Sequence, residues 1–233
     1  MGGISCIGNK LCKIELKALK AILGVKKGTS NDLVFYELRR SSIIARIKDR
    51  QHDFYKKLLD LSAEDAIVKL VMEKCIDSDM IRYYESLSGE NMERELRERE
   101  DRIIASEMSM PSYYRDIGLM NKSDIYSSML CDYHRTVLTR WRLSNHNLQI
   151  ERGRYTVPST PRENRLCTLC ETVEDEHHVI FHCPRFDDVR RTHVRLLQQY
   201  QTVGEMLNPN FANMNNVAGM LHDIEDRYKE LKL

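Results

Sequence analysis

Four residues in the segment 167–183 have the types and the spacing of a metal site. The segment reads Cys-x2-Cys-x7-His-x4-Cys and supplies Cys167, Cys170, His178 and Cys183. A Cys-x-x-Cys pair can place two thiolates on one ion from a tight turn, and the following His and Cys can deliver two further ligands. Three thiolates and one imidazole form a closed tetrahedral set. We therefore expect one structural zinc ion (Zn2+), with no position open for catalysis.

The choice of histidine is less constrained than the choice of cysteines. His177 and His182 lie in the same window. His182 is adjacent to Cys183, which makes joint tetrahedral ligation awkward, and His177 would change the spacings to x6 and x5. We favour His178 and leave the other two as alternatives. Zinc at this position would supply folding free energy that the few apolar residues of the loop cannot.

The segment 140–165, just upstream, carries six arginines and only two glutamates, a net charge of +4. Trp141, His146 and Tyr155 are interleaved with them. Arginine binds phosphate as a bidentate fork, and aromatic rings stack on unpaired bases. We therefore predict a nucleic-acid contact surface formed by Arg140, Arg142, Arg152, Arg154, Tyr155, Arg162 and Arg165.

Both features have a plain structural alternative. The cysteines can be free thiols beside the start of a His-rich helix. The arginines can belong to a solvated loop that pairs with the nearby acids Glu174, Asp175 and Glu176. The remaining cysteines are scattered, and we interpret them as incidental thiols.

The elements around these residues are predicted to be mainly α-helical. Apolar residues at helical spacing predict the helices, and capping residues and Gly or Pro breaks predict their ends. The predicted helices are 10–24, 33–60 with a break near Ser41-Ser42, 63–75, 90–107, about 124–143, 186–200 and 215–231. Residues 144–166 lack this period and are predicted to be a loop or short strands. The pattern divides the chain into a helical region 1–120, a segment 121–200 with the arginines and the zinc module, and a linker and helix at 201–233.

Composition limits the class of protein. The chain has 233 residues, is 42% hydrophobic and 30% charged, and has a net charge of +1, so it is neither collagen-like nor wholly disordered. The net charge conceals an asymmetry of +7 in residues 1–60, −7 in 61–133 and +1 in 134–233. No apolar run reaches the length of a membrane span. Lysines interrupt the first 25 residues, so we expect no secretory signal and an intracellular protein of the nucleus or cytoplasm.

Several stretches resemble one family. These stretches are Ile22 to Leu38, Arg142-Leu143-Ser144-Asn145-His146, Gly153-Arg154-Tyr155, the four metal-site residues with Glu174-Asp175-Glu176, and Cys183-Pro184-Arg185-Phe186. They resemble the region downstream of the polymerase in reverse transcriptases of non-LTR, LINE-type retrotransposons, which ends in a Cys-Cys-His-Cys zinc module. The resemblance implies a protein that copies RNA into DNA at a nicked target, with a tail that contacts template RNA or target DNA.

The chain departs from that family at the motif that carries catalysis. The family implies a Tyr/Phe-x-Asp-Asp motif on a β-hairpin that holds two Mg²⁺ ions. Asp187-Asp188 comes nearest here, but it follows the zinc module and is predicted to open a helix. We therefore expect no enzyme, but a noncatalytic, zinc-dependent fragment that binds RNA or DNA. There are two alternatives. In the first, the chain is a structural or interaction protein, or a decayed reading frame, and zinc only stabilises its fold. In the second, it is an accessory subunit that acts beside a separate polymerase chain.

Overall fold

A computed structural model describes residues 2–75, 77–105, 131–208 and 211–231 of the chain. These residues are mainly α-helical, and among them no regular strand occurs. The predicted fold class is therefore confirmed. The chain divides into two compact units, Met1–Leu19 with Ser30–Ala105, and Lys20–Thr29 with Ser106–Leu233. The predicted boundary at residues 120–121 lies outside the described residues.

Among the described residues, the first unit holds most of α1 (Gly2–Leu23) and five further helices. These are α2 (Asn31–Glu37), α3 (Ile43–Glu64), α4 (Ala66–Cys75), α5 (Ser78–Glu85) and α6 (Asn91–Ala105). Helices α1 and α3 are 22 residues long each. The predicted break near Ser41-Ser42 is confirmed, since the hydroxyl of Ser42 accepts the Ala45 N–H and caps α3. The predicted end of the first helix at Gly24 is also confirmed, and this glycine has a φ of +66°. Helix α5 is not predicted by the periodicity of the sequence.

Two carboxylates, buried Asp49 and half-buried Asp32, connect these helices. Asp49 on α3 accepts the backbone N–H groups of Asn91 and Met92 at 2.8 and 2.9 Å, which caps the start of α6. Asp32 accepts from the guanidinium groups of Arg99 and Arg102, which lie one turn apart on α6. The first unit is therefore fastened by charged groups that satisfy helix ends and by ion pairs.

The second unit is built from shorter pieces. Its α-helices are α7 (Asp132–Arg142), α8 (Gln149–Arg152), α9 (Asp187–Thr192), α10 (Val194–Leu197), α11 (Val203–Leu207) and α12 (Met214–Glu230), with 3-10 turns at Arg162–Asn164, Pro184–Phe186 and Phe211–Asn213 and a π-helical turn at His178–His182. The predicted helix 186–200 is interrupted at His193. The part of the predicted helix at 124–130 lies outside the described residues.

A single apolar core joins these short elements. Trp141 of α7, Phe186 and the α12 residues Met220 and Leu221 are almost completely buried in it. The segment 201–233, predicted as a separate linker and helix, contributes to the same core through α11 and α12. Within the described part of the chain, none of the helices has the length and apolarity needed to cross a membrane.

Candidate metal centre

The structure brings the four predicted ligands together inside the second unit. One ligand atom from each of Cys167, Cys170, His178 and Cys183 lies within 4.8 Å of the others. The Cys183 sulfur is 3.8 Å from that of Cys167 and 3.9 Å from that of Cys170. A disulfide would need about 2.0 Å, so the three cysteines form no disulfide, and their sulfur atoms surround a common point. This group can hold a metal ion.

The first two ligands are placed by a tight turn. The Cys167 N–H donates to the Thr172 carbonyl at 2.8 Å, and the Glu171 N–H donates back to the Cys167 carbonyl at 2.9 Å. An isolated antiparallel bridge between Leu166 and Val173 closes the base of the turn. Glu171 turns the chain with a φ of +53°, a left-handed conformation that is uncommon for a non-glycine residue. Both cysteine side chains consequently lie on the inner side of the turn.

The other two ligands are placed by the π-helical turn. The Cys183 N–H donates to the His178 carbonyl at 2.8 Å, a bond five residues back along the chain, so one hydrogen bond ties the two ligands to each other. Arg190 donates to the carbonyls of Val179 and Cys183 and thereby satisfies backbone groups that the turn leaves open.

The imidazole of His178 is oriented as a ligand would be. Its Nδ1 lies 3.2 Å from the Thr172 hydroxyl, and its backbone N–H donates to the Asp175 carboxylate at 2.9 Å. Its Nε2 is buried and has no hydrogen-bond partner. Buried polar atoms in proteins almost always have a partner, so this nitrogen is in the state expected of an atom that bonds to a metal.

Burial sets the protonation of these groups. It raises the pKa of the Cys170 thiol and raises the pKa of Cys183 to about 12, and it lowers the pKa of His178. The imidazole is thus held in the neutral form that ligates metals, whereas the thiols keep their protons until a cation compensates the thiolate charge. Metal binding at this site releases protons.

The two alternative histidines lie outside this ligand group. Among the described residues, the only metal-competent group contains His178 and neither His177 nor His182. Both of these side chains are exposed. The π-helical turn directs His178 inward and leaves its two neighbours at the surface.

Three of the predicted contact arginines are bonded inside the second unit. Arg140 donates to the Gly24 carbonyl at 3.1 Å, and buried Arg142 donates to the Leu207 carbonyl at 2.6 Å. Arg165 donates to the carbonyls of Ile150 and Thr160 at 2.6 and 2.8 Å. These guanidinium groups already satisfy backbone carbonyls that short elements leave unpaired.

The other predicted contact residues reach the surface. Arg152 is exposed, Arg162 keeps 57% of its side-chain area accessible, and Tyr155 is 58% exposed. Arg154 is half-buried and pairs with Glu151 at 2.8 Å. The structure therefore leaves Arg152 and Arg162 exposed, buries Arg142, and places Arg140, Arg154 and Arg165 between these extremes. Residue type and spacing do not contain this distinction.

The interleaved aromatic residues divide in the same way. Trp141 and His146 are buried, and the His146 Nε2 lies 2.8 Å from the Glu176 carboxylate. Of the three, only Tyr155 presents a ring to solvent. The apolar period of α7 predicts that Trp141 shares a face with Val137, and both side chains are buried.

Of the acids Glu174, Asp175 and Glu176, Glu174 bonds to groups other than the predicted contact arginines. Glu174 accepts from the Tyr228 hydroxyl at 2.6 Å and from the Gln149 N–H at 2.9 Å. Asp175 lies 3.6 Å from Arg162, a pairing of the kind that the solvated-loop alternative expects. The acids instead tie α8 and α12 to the segment that holds the ligands.

Comparison with protein families, with curated proteins and with solved structures returned no match.

Proposed function

We propose that this chain is a noncatalytic, zinc-dependent module that binds RNA or DNA, derived from the tail of a LINE-type retrotransposon reverse transcriptase. The observation that carries the proposal is the Cys3His group, whose four ligand atoms lie within 4.8 Å of one another. The resemblance noted above supports the origin, and the exposed arginines support the ligand class.

The sulfur positions support zinc as the metal. Bonds of about 2.3 Å to sulfur at tetrahedral angles separate the sulfurs by about 3.8 Å. The separations from Cys183 to Cys167 and Cys170 are 3.8 and 3.9 Å. Three thiolates with one imidazole are also a typical donor set of structural zinc.

Zinc in this group would have a structural role. Cys167, Cys170, His178 and Cys183 would fill the four positions of a tetrahedral ion, so none remains for substrate. Three thiolates give the loaded site a net charge of −1. The guanidinium of Arg185, which donates to the Thr168 hydroxyl at 2.6 Å, lies beside the Cys-x-x-Cys turn and offsets that charge.

The surface beside the module supports nucleic acid as the ligand. Arg152, Arg162 and Tyr155 are exposed within 11 residues of sequence. Guanidinium groups bind phosphate oxygens, and the phenol ring offers a stacking face. Arg142 and Arg165 hold this segment in place through backbone carbonyls, so the exposed residues project from an ordered backbone.

Fluorescence anisotropy of the full zinc-loaded chain with labelled single-stranded RNA and DNA tests this proposal. We expect binding that weakens steeply as salt rises and that is lost after zinc removal. Replacement of Arg152 and Arg162 by Gln should reduce the salt slope by about 1 for each phosphate contact that is lost. Absence of binding to both polymers at low salt would refute the proposal.

A second candidate is a structural or interaction protein in which zinc only stabilises the fold. The internal bonding of Arg140, Arg142 and Arg165 favours it, because half of the predicted contact arginines serve the fold. This candidate predicts one bound zinc and no complex with RNA or DNA. The accessory-subunit alternative predicts stimulation of a separate polymerase, and a primer-extension assay on the chain alone should show no synthesis in either case.

A further inference from the structure

A cluster of three rings lies on the outer side of the π-helical turn. The ring centroids of His177 and His182 are 4.8 Å apart, those of His177 and Phe181 are 5.4 Å apart, and those of Phe181 and His182 are 6.4 Å apart. The metal ligand His178 lies in the same turn but takes no part in this cluster.

The cluster exists because of the wider turn. In an α-helix, residues four apart share a face, which would pair His177 with Phe181 and His178 with His182. The five-residue hydrogen bond from Cys183 to His178 widens the turn, so that His177 and His182 become neighbours while His178 points to the thiols. The same π-helical backbone thus places His178 near the thiols and His177 next to His182.

The rings offer open faces rather than a closed stack. Neighbouring rings are inclined to one another by 49° to 55°, and no pair lies face to face. His177 and His182 are exposed, whereas Phe181 is half-buried and packs against the apolar core. The core-packed ring anchors the cluster, and the two imidazoles present faces and polar edges to solvent.

We propose that the cluster of His177, Phe181 and His182 stacks an unpaired base of a single-stranded nucleic acid. This inference rests on the proposed function and adds a base-binding site to it. A base is a flat ring with polar edges, and it matches a cluster of flat rings whose imidazole nitrogens can hydrogen-bond to those edges. The site also supplies aromatic surface that buried Trp141 and His146 cannot.

The test compares three forms of the full zinc-loaded chain: wild type, His177→Ala with His182→Ala, and His177→Tyr with His182→Tyr. The replaced side chains are exposed, and Phe181 is left in place because it packs against the core. Each form is titrated with labelled oligouridine of about 12 nucleotides, with oligothymidine of equal length, and with an abasic strand that has the same phosphates. Zinc content is measured for every form.

The alanine form should lose about tenfold in affinity for oligouridine and keep the wild-type affinity for the abasic strand, because stacking needs bases. The tyrosine form should keep its affinity, which excludes imidazole charge as the cause. The oligothymidine arm distinguishes RNA from DNA as the source of the base. All three forms should hold one zinc.

Two results would overturn the inference. In the first, the alanine form binds oligouridine as wild type does. In the second, it loses the same factor on the abasic strand. Either result leaves the proposed function standing if wild type still binds in a zinc-dependent manner. Wild type that binds none of the strands refutes the proposed function, and the stacking site with it.

Discussion

The two units of this chain reach stability by different means. In the first, Asp49 caps a helix and Asp32 forms ion pairs with a neighbouring helix. This unit leaves large apolar side chains such as Ile67 and Phe54 exposed. The second packs shorter elements around a buried apolar core. Its Cys3His group lies in a segment without regular α-helix. Short elements leave more backbone groups unpaired, and in this unit Arg142, Arg165 and Arg190 donate to backbone carbonyls.

The largest expected effect comes from the metal ligands. Replacing both Cys167 and Cys170 by Ser should unfold the segment around 145–185 and leave the first unit helical, because structural zinc supplies folding free energy of roughly 10 kcal/mol in small modules. The single tryptophan, Trp141, lies in the second unit and reports its unfolding by fluorescence, and hydrogen exchange follows α3 and α6 in the first.

Cys131→Ser is the matched control for that change. Cys131 is exposed, lies outside the ligand group and caps α7 through its sulfur, a role that a hydroxyl can also fill. It should leave the fluorescence of Trp141 unchanged. A double-serine variant that keeps its fold would show that the apolar core alone holds the second unit.

Core truncation should come next in size. Leu221→Ala removes a fully buried side chain from the second unit and should cost about 3 kcal/mol in the free energy of unfolding. Ile67→Ala in the first unit removes a side chain that is 73% exposed and should change that unit's stability by less than about 0.5 kcal/mol. Urea unfolding followed by tryptophan fluorescence and by hydrogen exchange measures both; equal costs would contradict the contrast between the units.

Loss of the α6 cap should have a moderate, pH-dependent effect. Burial alone would raise the pKa of Asp49, but hydrogen bonds from Met92 and Asn91 outweigh it and hold the pKa below the ordinary value. Asp49→Ala should destabilise α6 by about 1–2 kcal/mol at pH 7. The lowered pKa means that this contribution is present above about pH 4 and lost as the pH falls through the folded-state pKa.

Hydrogen exchange of α6 in wild type and in the Asp49→Ala variant, at pH 7 and below pH 4, measures this effect. The difference between the two should be large at pH 7 and shrink in acid. A difference that grows in acid would show that the carboxylate is not what caps the helix.

The smallest effect should come from the exposed ion pairs of α6. Arg97 and Glu93 lie 3.0 Å apart, but both side chains are about 70% exposed. Arg97→Gln should change the free energy of unfolding of the first unit by less than about 0.5 kcal/mol, and added salt should remove the change. A larger loss would mean that surface charge contributes to this unit beyond its buried carboxylates.

The sequence predicts these two units unequally well. Periodicity and caps locate α1, the break before α3 and the final helix α12, because long amphipathic segments encode their own face. They miss α5 and the short helices α8 and α11, whose conformation depends on partners distant in the sequence. The ligand spacing identifies the four metal-site residues, since few contexts bring these residue types so close.

Sequence reasoning does less well on the direction of side chains. It treats all six arginines alike, whereas Arg142 and Arg165 point to backbone carbonyls that only the folded chain provides. It also interleaves Trp141 and His146 with the predicted contact arginines, although both rings are buried. The ring cluster around His177 escapes it altogether, because a π-helical turn has no signature in residue order.

X-ray absorption spectroscopy of the metal bound to the natively purified full chain tests the central claim most directly. We expect one zinc per chain with three sulfur neighbours at about 2.3 Å and one nitrogen at about 2.0 Å. The same measurement on a His178→Ala variant should lose the nitrogen neighbour, while a His177→Ala variant should not. A chain without bound metal, or a first shell of oxygen and nitrogen alone, would contradict the account.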